Sequence, residues 1–261
     1  LLYDIFETAS GQRFHPSYFR VGGVMADVGD DFVKKVRDFL KGFPKAHGEV
    51  VRLLNRNRIF LERTQGIGIL TKEEAINRSC TGPVARASGV VRDLRKDEPC
   101  LAYKELDTAF QVICATEGDC FSRYHVRMEE MLESAKIIHA CIENLPAGPA
   151  SVHGDANKTI LPNQLAVYRS IESLIHHFEL VMPNRQWTPP VEEVYGAIES
   201  PNGELGFYVV SDGSGVAYRA RTRPPSFIHF AAFPHLMEGH QLSDVVAVLG
   251  SLNIIAAELD R

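Results

Sequence analysis

Long apolar runs, an excess of basic charge and paired cysteines are all missing from this sequence. No apolar run approaches the roughly 18 residues of a membrane-spanning helix, so the chain is expected to be soluble or peripheral to a membrane. The 28 Lys and Arg residues are outnumbered by 33 Asp and Glu residues, which gives a net charge of −5. A strongly basic face is therefore not implied, and nucleic acid is not expected as a partner.

The cysteines exclude two further classes of protein. There are five of them, irregularly spaced, and no two form a C-x-x-C pair. An odd number at irregular gaps argues against a disulfide framework and fits a reducing compartment. Closely spaced pairs are typical of cysteine metal sites, so a metal site built from these cysteines alone is not expected. The phosphate-loop pattern G-x-x-x-x-G-K-S/T is also absent.

The composition and length are those of one packed domain. Hydrophobic residues make up 45% and charged residues 23% of the 261 residues, which is ordinary for a globular domain. The sequence has no initiator Met and no signal peptide, and Leu1 already lies in a helical pattern of apolar residues. We therefore expect a single domain over residues 1–261 that begins inside a longer protein.

Helical periodicity covers most of the chain. Apolar residues recur at three- and four-residue spacing, which indicates amphipathic helices that pack as a bundle. The predicted helices are Leu1–Ser10 ended by Gly11, Asp30 to about Phe43 with a stop at Pro44 and a resumed pattern to Leu54, a short helix opened by the capping box Thr71–Glu74, Gly118–Leu145, Pro162–Leu180, Phe230–Met237 and Leu242–Ser251. The longest is expected to present to the core a seam of Phe121, Tyr124, Met128, Met131, Leu132, Ala135, Ile138, Ile142 and Leu145.

A small β-region interrupts the helices near residues 194–222. The segments Val194–Ile198, Leu205–Ser211 and Val216–Arg221 predict strands. The sequence SDGSG between the last two predicts a hairpin loop, and the prolines that follow end the sheet because proline cannot continue a central ladder. The chain is therefore expected to be mainly α, of the α+β class, with a small antiparallel hairpin or sheet.

Three polar segments are candidates for function. In Gly11–Val24, the Arg and His side chains could pin a loop to neighbouring carboxylates, or they could face a cofactor or redox centre. In Cys80–Lys96, glycines and a proline break the helix, and the charged residues predict a buried turn with Arg–Asp pairing. The closing stretch Leu242–Arg261 is apolar and charged only at its tip. It is expected to be buried with a partner for every charge, as in a core helix whose last turn makes salt bridges.

Four motifs, in this order along the chain, resemble one known family. They are GQRFHPSYFRVGGV, TGPVARASGV with RDLRK, GELGFYVVSDGSG with its R-x-R-P-P-S-F exit, and LSDVVAVLGSLNIIAAELDR. Together they resemble the family of the D-type, quinone-site subunit of respiratory complex I, the NADH:quinone oxidoreductase, whose mitochondrial form is the 49-kDa type. That family is homologous to the large subunit of [NiFe] hydrogenases, so the resemblance implies a helix bundle of that type. It also implies the C-terminal portion of a longer subunit, whose upstream part carries the His, Tyr and Asp of the quinone head-group site.

The resemblance implies a role in a multisubunit, proton-pumping enzyme. In the family, this subunit and the B-type subunit form the cavity where quinone receives electrons from the terminal [4Fe-4S] cluster of the B-type subunit, while NADH and FMN bind elsewhere. The chain is then expected to bind no metal or cofactor itself and to hold no complete active site. The implied partners are the B-type and C-type subunits, the H-type membrane subunit and quinone. The implied location is the matrix face of the mitochondrial inner membrane or, alternatively, the cytoplasmic face of a bacterial inner membrane.

Three sets of positions take implied roles from the family. A His beside the terminal cluster can stabilise its reduced state and raise its potential, and the positions that match this loop are His15, Arg13 and Arg20. Structural support at the subunit interface is implied for Arg86, Asp93 and Arg95. The quinone cavity is implied to be lined by Asn253, Ile255, Glu258 and Asp260, and the last two residues of the chain match the family's terminal Asp-Arg.

Two departures from the patterns of these families leave two alternatives open. Ile255 and Glu258 stand where hydrogenases carry the second C-x-x-C that binds nickel, so a nickel–iron centre would lack half of its thiolate ligands. Asn253 stands where the complex I family usually has Asp, and an amide keeps the shape but cannot ionise. The alternatives are a group-4 [NiFe] hydrogenase-like catalytic subunit and a non-catalytic structural or assembly member of the same fold.

Overall fold

The structure, a computed structural model, describes residues 1–20, 22–152, 160–182 and 188–260. Its helices are α1 (Leu2–Ser10), α2 (Asp30–Leu54), α3 (Arg58–Glu62), α4 (Lys72–Asn77), α5 (Gly82–Arg86), α6 (Leu94–Asp97), α7 (Cys120–Glu143), α8 (Gln164–Arg169), α9 (Ile171–Val181), α10 (Pro225–Met237), α11 (Val245–Leu252) and α12 (Ala256–Leu259). Its strands are β1 (Phe19–Arg20), β2 (Gly23–Val24), β3 (Glu193–Ser200), β4 (Gly203–Val210) and β5 (Arg219–Arg223). The predicted fold class, mainly α with a small amount of antiparallel sheet, is confirmed.

The chain divides into two compact units, which are described separately. Unit 1 contains Leu1–Gly42, Asn144–Val194 and Val209–Ala220, and unit 2 contains Phe43–Glu143, Tyr195–Tyr208 and Arg221–Arg261. The single domain expected over residues 1–261 stays a prediction. No helix in the described part of the chain is long and apolar enough to cross a membrane.

Unit 1 begins with α1, which ends where the sequence predicts. Gly11 adopts a left-handed conformation at φ 73°, and its N–H donates to the backbone oxygen of Glu7 at 2.8 Å. This is the usual way in which glycine ends a helix. Strands β1 and β2 then form an antiparallel pair, with Phe19 opposite Val24.

Helices α8 and α9 of unit 1 stand in place of the single helix predicted over Pro162–Leu180. Ser170 has an extended backbone between them, and its hydroxyl accepts a hydrogen bond from the Ser173 N–H at 3.4 Å. A serine that caps the following helix interrupts the preceding one. The prediction of one helix was therefore wrong, because apolar periodicity continues across a residue that acts as a cap.

Unit 2 is organised around one hydrophobic core. Helices α4, α5, α7, α10 and α11 contribute to it, and its fully buried aliphatic side chains include Leu70, Val84, Val248 and Leu252. Burial of a side chain of this size stabilises a fold by about 1.5–3 kcal/mol. Helix α4 opens with the predicted capping box, since Thr71 and Glu74 each accept a hydrogen bond from the other's backbone N–H.

The start of α5 packs directly against the start of β4. Gly82 has φ 64°, and a Cβ atom there would lie only 2.4 Å from the Cα of Gly203. The hydroxyl of Thr81 accepts from the Glu204 backbone N–H at 3.0 Å across the same contact. Only glycine leaves room for two backbones to come so close. This contact fixes the start of α5, the helix whose last residue is Arg86.

The sheet predicted near residues 194–222 is present, with the strand order β3–β4–β5. Strands β3 and β4 have eight residues each and are longer than the segments predicted for them. The third strand begins at Arg219 instead of Val216 and ends at Arg223, immediately before the two prolines. The prolines thus end the sheet as expected.

Helix α2 continues through Pro44, where the sequence predicts a stop. Proline within a helix costs about 3 kcal/mol or more, because it removes a hydrogen bond and crowds the preceding turn. Val36 before the proline and His47 after it are both buried, and His47 Nε2 lies 3.0 Å from the backbone oxygen of Met128. Tertiary contacts on either side therefore hold the helix together, and the predicted stop was wrong.

Helix α7 buries a different face from the one that its apolar residues predict. The buried positions are Cys120, Ser122, Arg123, Val126, Met128, Glu133 and Ile137. Three members of the predicted seam, Met131, Ile138 and Leu145, are 40%, 38% and 49% exposed. The prediction was wrong because charged side chains on the buried face have partners there, and a pattern of apolar residues cannot reveal them.

The closing stretch of the chain is buried only in part, so the expectation of burial holds for some of its residues and is wrong for others. Val248 and Leu252 have no exposed surface, whereas Leu242 and Val246 are largely exposed. Helix α11 is therefore a short amphipathic helix with one face on the core of unit 2. Asn253 ends it in a left-handed conformation at φ 57°, and α12 follows.

Candidate functional site

Arg86 is the centre of a buried network of ion pairs in unit 2. It is 1% exposed. Its Nη1 donates to Glu199 Oε1 at 2.8 Å, its Nε donates to Glu130 Oε1 at 2.7 Å, and Asp93 lies 3.8 Å away. Burial opposes the charged form, but the three carboxylates outweigh it and raise the pKa of Arg86. The guanidinium is therefore charged and fixed in place.

Asp93 connects this network to helix α6. Its side chain accepts from the backbone N–H of Arg95 at 3.0 Å and so caps the helix. The same carboxylate receives a bidentate pair from the Arg95 guanidinium, at 2.9 and 2.6 Å. Burial alone would raise the pKa of Asp93, but the hydrogen bonds and charges of Arg95 and Arg86 lower it. The predicted buried turn with Arg–Asp pairing is confirmed, and the interface role of these residues stays a prediction.

Glu199, near the end of β3, joins the network to a second element. Its Oε1 accepts from Arg86, and its Oε2 accepts from the backbone N–H of Leu94 at 3.3 Å. The side chain is 5% exposed. The carboxylate of Glu199 thus attaches β3 to α5 and α6. Each of its two oxygens accepts a hydrogen bond.

A cavity of about 440 Å³ lies beside the network. Its wall combines the guanidinium and carboxylate groups with Tyr103, Met131, Pro201 and Asn253. The structure therefore brings Asn253, predicted to line the quinone cavity, to the same space as the interface residues Arg86 and Arg95. All of these residues belong to unit 2.

Asn253 and Glu258 belong to one chain of hydrogen bonds. The side-chain amide of Asn253 donates to Asn202 Oδ1, and Asn202 Nδ2 donates to Glu258 Oε2 at 3.4 Å. The hydroxyl of the fully buried Ser226 also donates to Glu258 Oε2. These hydrogen bonds connect Asn253, at the end of α11, to Asn202 and Ser226. They fix the path of the chain after α11.

The other predicted cavity residues lie outside the cavity wall. Ile255 is 48% exposed and contacts Ser226 through its backbone N–H at 3.5 Å. Asp260 is exposed. Arg261 lies outside the described residues. Of the four residues predicted to line the quinone cavity, Asn253 alone lines the space that the described part of this chain encloses.

Two arginines of α7 attach α11 to this site, and the sequence analysis did not identify them. Arg123 is fully buried and donates to Ser251 Oγ of α11 at 2.9 Å and to the backbone oxygen of Gly68 at 2.8 Å. Arg127 donates to the backbone oxygen of Ser251, and burial lowers its pKa to about 10. Arg123, Arg127 and Glu130 recur at four- and three-residue spacing, so a search for charged residues on one helix face would have found them.

The loop with His15 lies in unit 1. His15 is exposed at φ 54°, and its ring centroid lies 4.1 Å from that of Phe14. Arg13 pairs with Asp4 at 3.0 Å and with Glu7 at 3.3 Å. These pairs match the structural alternative, in which arginine pins the loop to neighbouring carboxylates.

Arg20, the third residue of the predicted cluster-tuning set, bonds within its own loop. Its Nη1 donates to the backbone oxygens of Ser17 and Phe19, at 2.7 and 3.0 Å. Within the described ranges, no group of three or more His, Cys, Asp or Glu side chains could hold a metal ion. The tuning of a cluster by His15, Arg13 and Arg20 stays a prediction.

The cavity has the chemistry of a binding site for a small neutral ring with acceptor oxygens. Arg86, Arg95 and Arg127 supply donors, while Tyr103 and Met131 supply apolar surface. Arg86 and Arg95 are paired with Glu130, Glu199 and Asp93, whereas Arg127 contacts a backbone oxygen, and its buried Nε and Nη2 have no hydrogen-bond partner among the described residues.

Comparisons with known proteins agree with one another. The family model for the respiratory-chain NADH dehydrogenase 49 kDa subunit matches residues 1–261. The D-type subunit of NADH-quinone oxidoreductase from Methylacidiphilum infernorum is 45% identical over 260 residues, which is 100% of this chain and 61% of the relative. The protein of that name from Ehrlichia chaffeensis is 43% identical over 260 residues, 100% of this chain and 65% of the relative. One of the D-type subunits of Opitutus terrae is 46% identical over 260 residues, 100% of this chain and 60% of the relative. The chain thus spans 60–65% of the length of these curated relatives.

Proposed function

Because the chain belongs to the 49-kDa subunit family of respiratory-chain NADH dehydrogenase, we propose that it forms, with the B-type subunit, the quinone cavity of an NADH–quinone oxidoreductase. The observation that carries the proposal is the cavity in which Asn253 meets the buried network of Arg86. Its volume of about 440 Å³ is of the size that small-ligand sites have. Its mixed polar and apolar wall suits a quinone head group, whose two oxygens accept hydrogen bonds.

In this proposal the chain supplies shape and electrostatics, and it carries no electron itself. Electrons from NADH pass through FMN and iron–sulfur clusters of other subunits to the terminal [4Fe-4S] cluster of the B-type subunit, and then to quinone. His15, Arg13 and Arg20 lie beside that cluster and raise its potential. Arg86, Asp93 and Arg95 support the interface, and Ile255, Glu258 and Asp260 complete the cavity together with partner subunits.

The assembly around the chain follows from the same family membership. We propose the B-type and C-type subunits and the H-type membrane subunit as neighbours, in a complex that couples quinone reduction to proton translocation. The relatives described above are bacterial, which favours the cytoplasmic face of a bacterial inner membrane over the matrix face of a mitochondrial one. In either compartment the chain would be peripheral to the membrane.

One alternative has a specific observation in its favour. Asn253 is a neutral residue bonded to another neutral amide, which would suit a structural or assembly member that no longer couples protons to quinone. The hydrogenase-like alternative has less support, because Ile255 and Glu258 occupy the positions where nickel would require cysteines.

The proposal is tested by the composition and activity of the native assembly. Membranes are solubilised in detergent, the assembly with this chain is isolated, and its subunits are identified by mass spectrometry. The B-type subunit, the flavin subunit and the membrane subunits should be present, and the assembly should reduce quinone with NADH. An assembly that lacks the flavin subunit and reduces no quinone would favour the scaffold alternative, and nickel in it would favour the hydrogenase-like one.

A further inference from the structure

We propose that Glu130 is the side chain that takes up a proton when negative charge enters the cavity, a task that Asn253 cannot perform. The inference rests on the proposed function, since reduction of a bound quinone is what would bring that charge. The position of Glu130 in the cavity wall carries the argument.

Glu130 lies in the wall of the cavity and is only partly neutralised there. It projects from the middle of α7, and its side chain is 15% exposed. Its Oε1 accepts from Arg86 Nε at 2.7 Å. Among the described residues no hydrogen-bond donor lies against its Oε2. One oxygen of the carboxyl is therefore anchored, and the other is available for a proton.

The second carboxyl in the wall, Glu199, is less suited to this task. Both of its oxygens accept hydrogen bonds, from Arg86 Nη1 at 2.8 Å and from the Leu94 N–H at 3.3 Å. A proton on either oxygen would displace one of these donors. Both oxygens of Glu199 are thus occupied by donors, whereas only one oxygen of Glu130 is.

The charges that face Glu130 come from four elements. Arg86 of α5 and Arg95 of α6 favour its ionised form, whereas Asp93 opposes it. Glu199 of β3, Arg127 of α7 itself and the phenol of Tyr103 complete the surroundings in the cavity wall. Burial is the largest influence, and it raises the pKa of Glu130 in spite of the two arginines. Burial therefore favours the protonated form of Glu130, whereas the two arginines favour its ionised form.

The proposed event is a single protonation with a simple balance. The terminal cluster that the partner subunit would hold would supply one electron, and a quinone bound in the cavity would gain one negative charge with it. The added charge raises the proton affinity of Glu130 further. One proton from water then binds to Oε2, and an O–H bond forms. The total charge of the cavity returns to its value before reduction.

The test uses the intact membrane enzyme that contains the full-length subunit. Glu130→Gln keeps an acceptor for Arg86 but cannot take up a proton. The matched control is Glu133→Gln on the same helix, since Glu133 lies outside the cavity wall, pairs with Lys136 at 2.5 Å and accepts from the Gln111 N–H at 2.9 Å. NADH:quinone activity is followed over the whole pH range in which the wild-type enzyme stays assembled. Reduction of an artificial acceptor at the flavin reports assembly.

We expect Glu130→Gln to lose one step of the pH profile and a carboxyl band of the reduced-minus-oxidised infrared spectrum, while reduction at the flavin is unchanged. Glu133→Gln should keep both. Glu130→Asp should restore the band and move the step to a different pH. This variant also tests the inference if Glu130→Gln does not assemble. A wild-type profile and band in Glu130→Gln, or an unmoved step in Glu130→Asp, would overturn the inference alone. A wild-type enzyme that reduces no quinone would overturn the proposed function as well.

Discussion

Asn253 donates a hydrogen bond from its side-chain amide to the side-chain oxygen of Asn202. Two neutral amides thus meet at the edge of the cavity, and Asn202 continues the chain of donors to Glu258 at 3.4 Å. In this arrangement each donor faces an acceptor, which fixes the orientation of both amides. Position 253 therefore supplies shape and a hydrogen bond without a charge.

Asn253→Asp is predicted to destabilise the fold by about 0.5–1 kcal/mol. The carboxylate would face the side-chain oxygen of Asn202, and it would also lie at the C-terminal end of α11, where the helix dipole disfavours an anion. Urea unfolding measures the change. As a control, Asn163→Asp at the start of α8 keeps the acceptor for the Leu165 N–H and should be neutral or stabilising. A variant Asn253→Asp as stable as the wild type would contradict the role of the amide pair.

Arg86→Met is predicted to cost about 3–5 kcal/mol of folding stability, because it leaves buried carboxylates without their cation. Glu199, Glu130 and Asp93 would each lose a positively charged partner, and the side chains of Asp93 and Glu199 are 0% and 5% exposed. The matched control is Arg58→Met, which removes a largely exposed pair with Glu62 and should cost less than about 0.5 kcal/mol. Equal losses for the two variants in chemical denaturation would show that the network adds little.

His229 is predicted to make the stability of the protein fall as the pH decreases. The side chain is fully buried, and its Nε2 accepts from the Thr81 N–H at 3.3 Å. Burial lowers its pKa from 6.5 to about 3. A group whose pKa is lower in the folded state gives stability that is complete above 6.5 and is lost as the pH falls toward 3, by up to about 1.4 kcal/mol per pH unit.

The contribution of His229 can be separated from that of other groups. His229→Gln cannot take up a proton, so the dependence of its unfolding free energy on pH should be weaker than that of the wild type between about pH 6.5 and about pH 5. Carboxylates such as Asp93 change their charge at lower pH and affect both proteins equally there. The exposed His139→Gln should keep the wild-type dependence. If the unfolding free energy of His229→Gln depended on pH as that of the wild type does, His229 would not be the source of the dependence.

His15→Met is predicted to lower the midpoint potential of the terminal cluster that we propose lies beside this loop, and to flatten the dependence of that potential on pH. The physical reason is the loss of a group that can donate a hydrogen bond or a positive charge to the reduced cluster. Redox titration of the intact complex between about pH 6 and about pH 8, where an unperturbed His titrates, makes the comparison. A potential that is identical in both proteins across this range would remove His15 from the cluster site.

Local signals in the sequence predicted local structure well. The left-handed Gly11 after α1, the capping box at Thr71 and the prolines after β5 all act within a few residues, and each is present. The wrong predictions concern features that distant residues decide. Contacts of buried side chains hold α2 together across Pro44, and buried charges select the face of α7 that enters the core.

In the site, too, pairs of residues close in the sequence were predicted and pairs of distant residues were not. Pairing of Asp93 with Arg95 spans two residues and was predicted. The partners that make Arg86 the centre of a network, Glu130 and Glu199, lie 44 and 113 residues away along the chain. No spacing in a single sequence indicates such pairs, because their proximity depends on the packing of α7 and β3.

The most direct test of the proposed quinone cavity is photolabelling of the intact complex with a photoreactive quinone. After illumination, the polypeptide is digested and the labelled peptides are identified by mass spectrometry. We predict label on peptides that contain Tyr103, Met131 or Asn253, which lie in the cavity wall, and loss of that label when unlabelled quinone is in excess. Label that is confined to other subunits, or that excess quinone does not reduce, would contradict the assignment of this cavity to quinone.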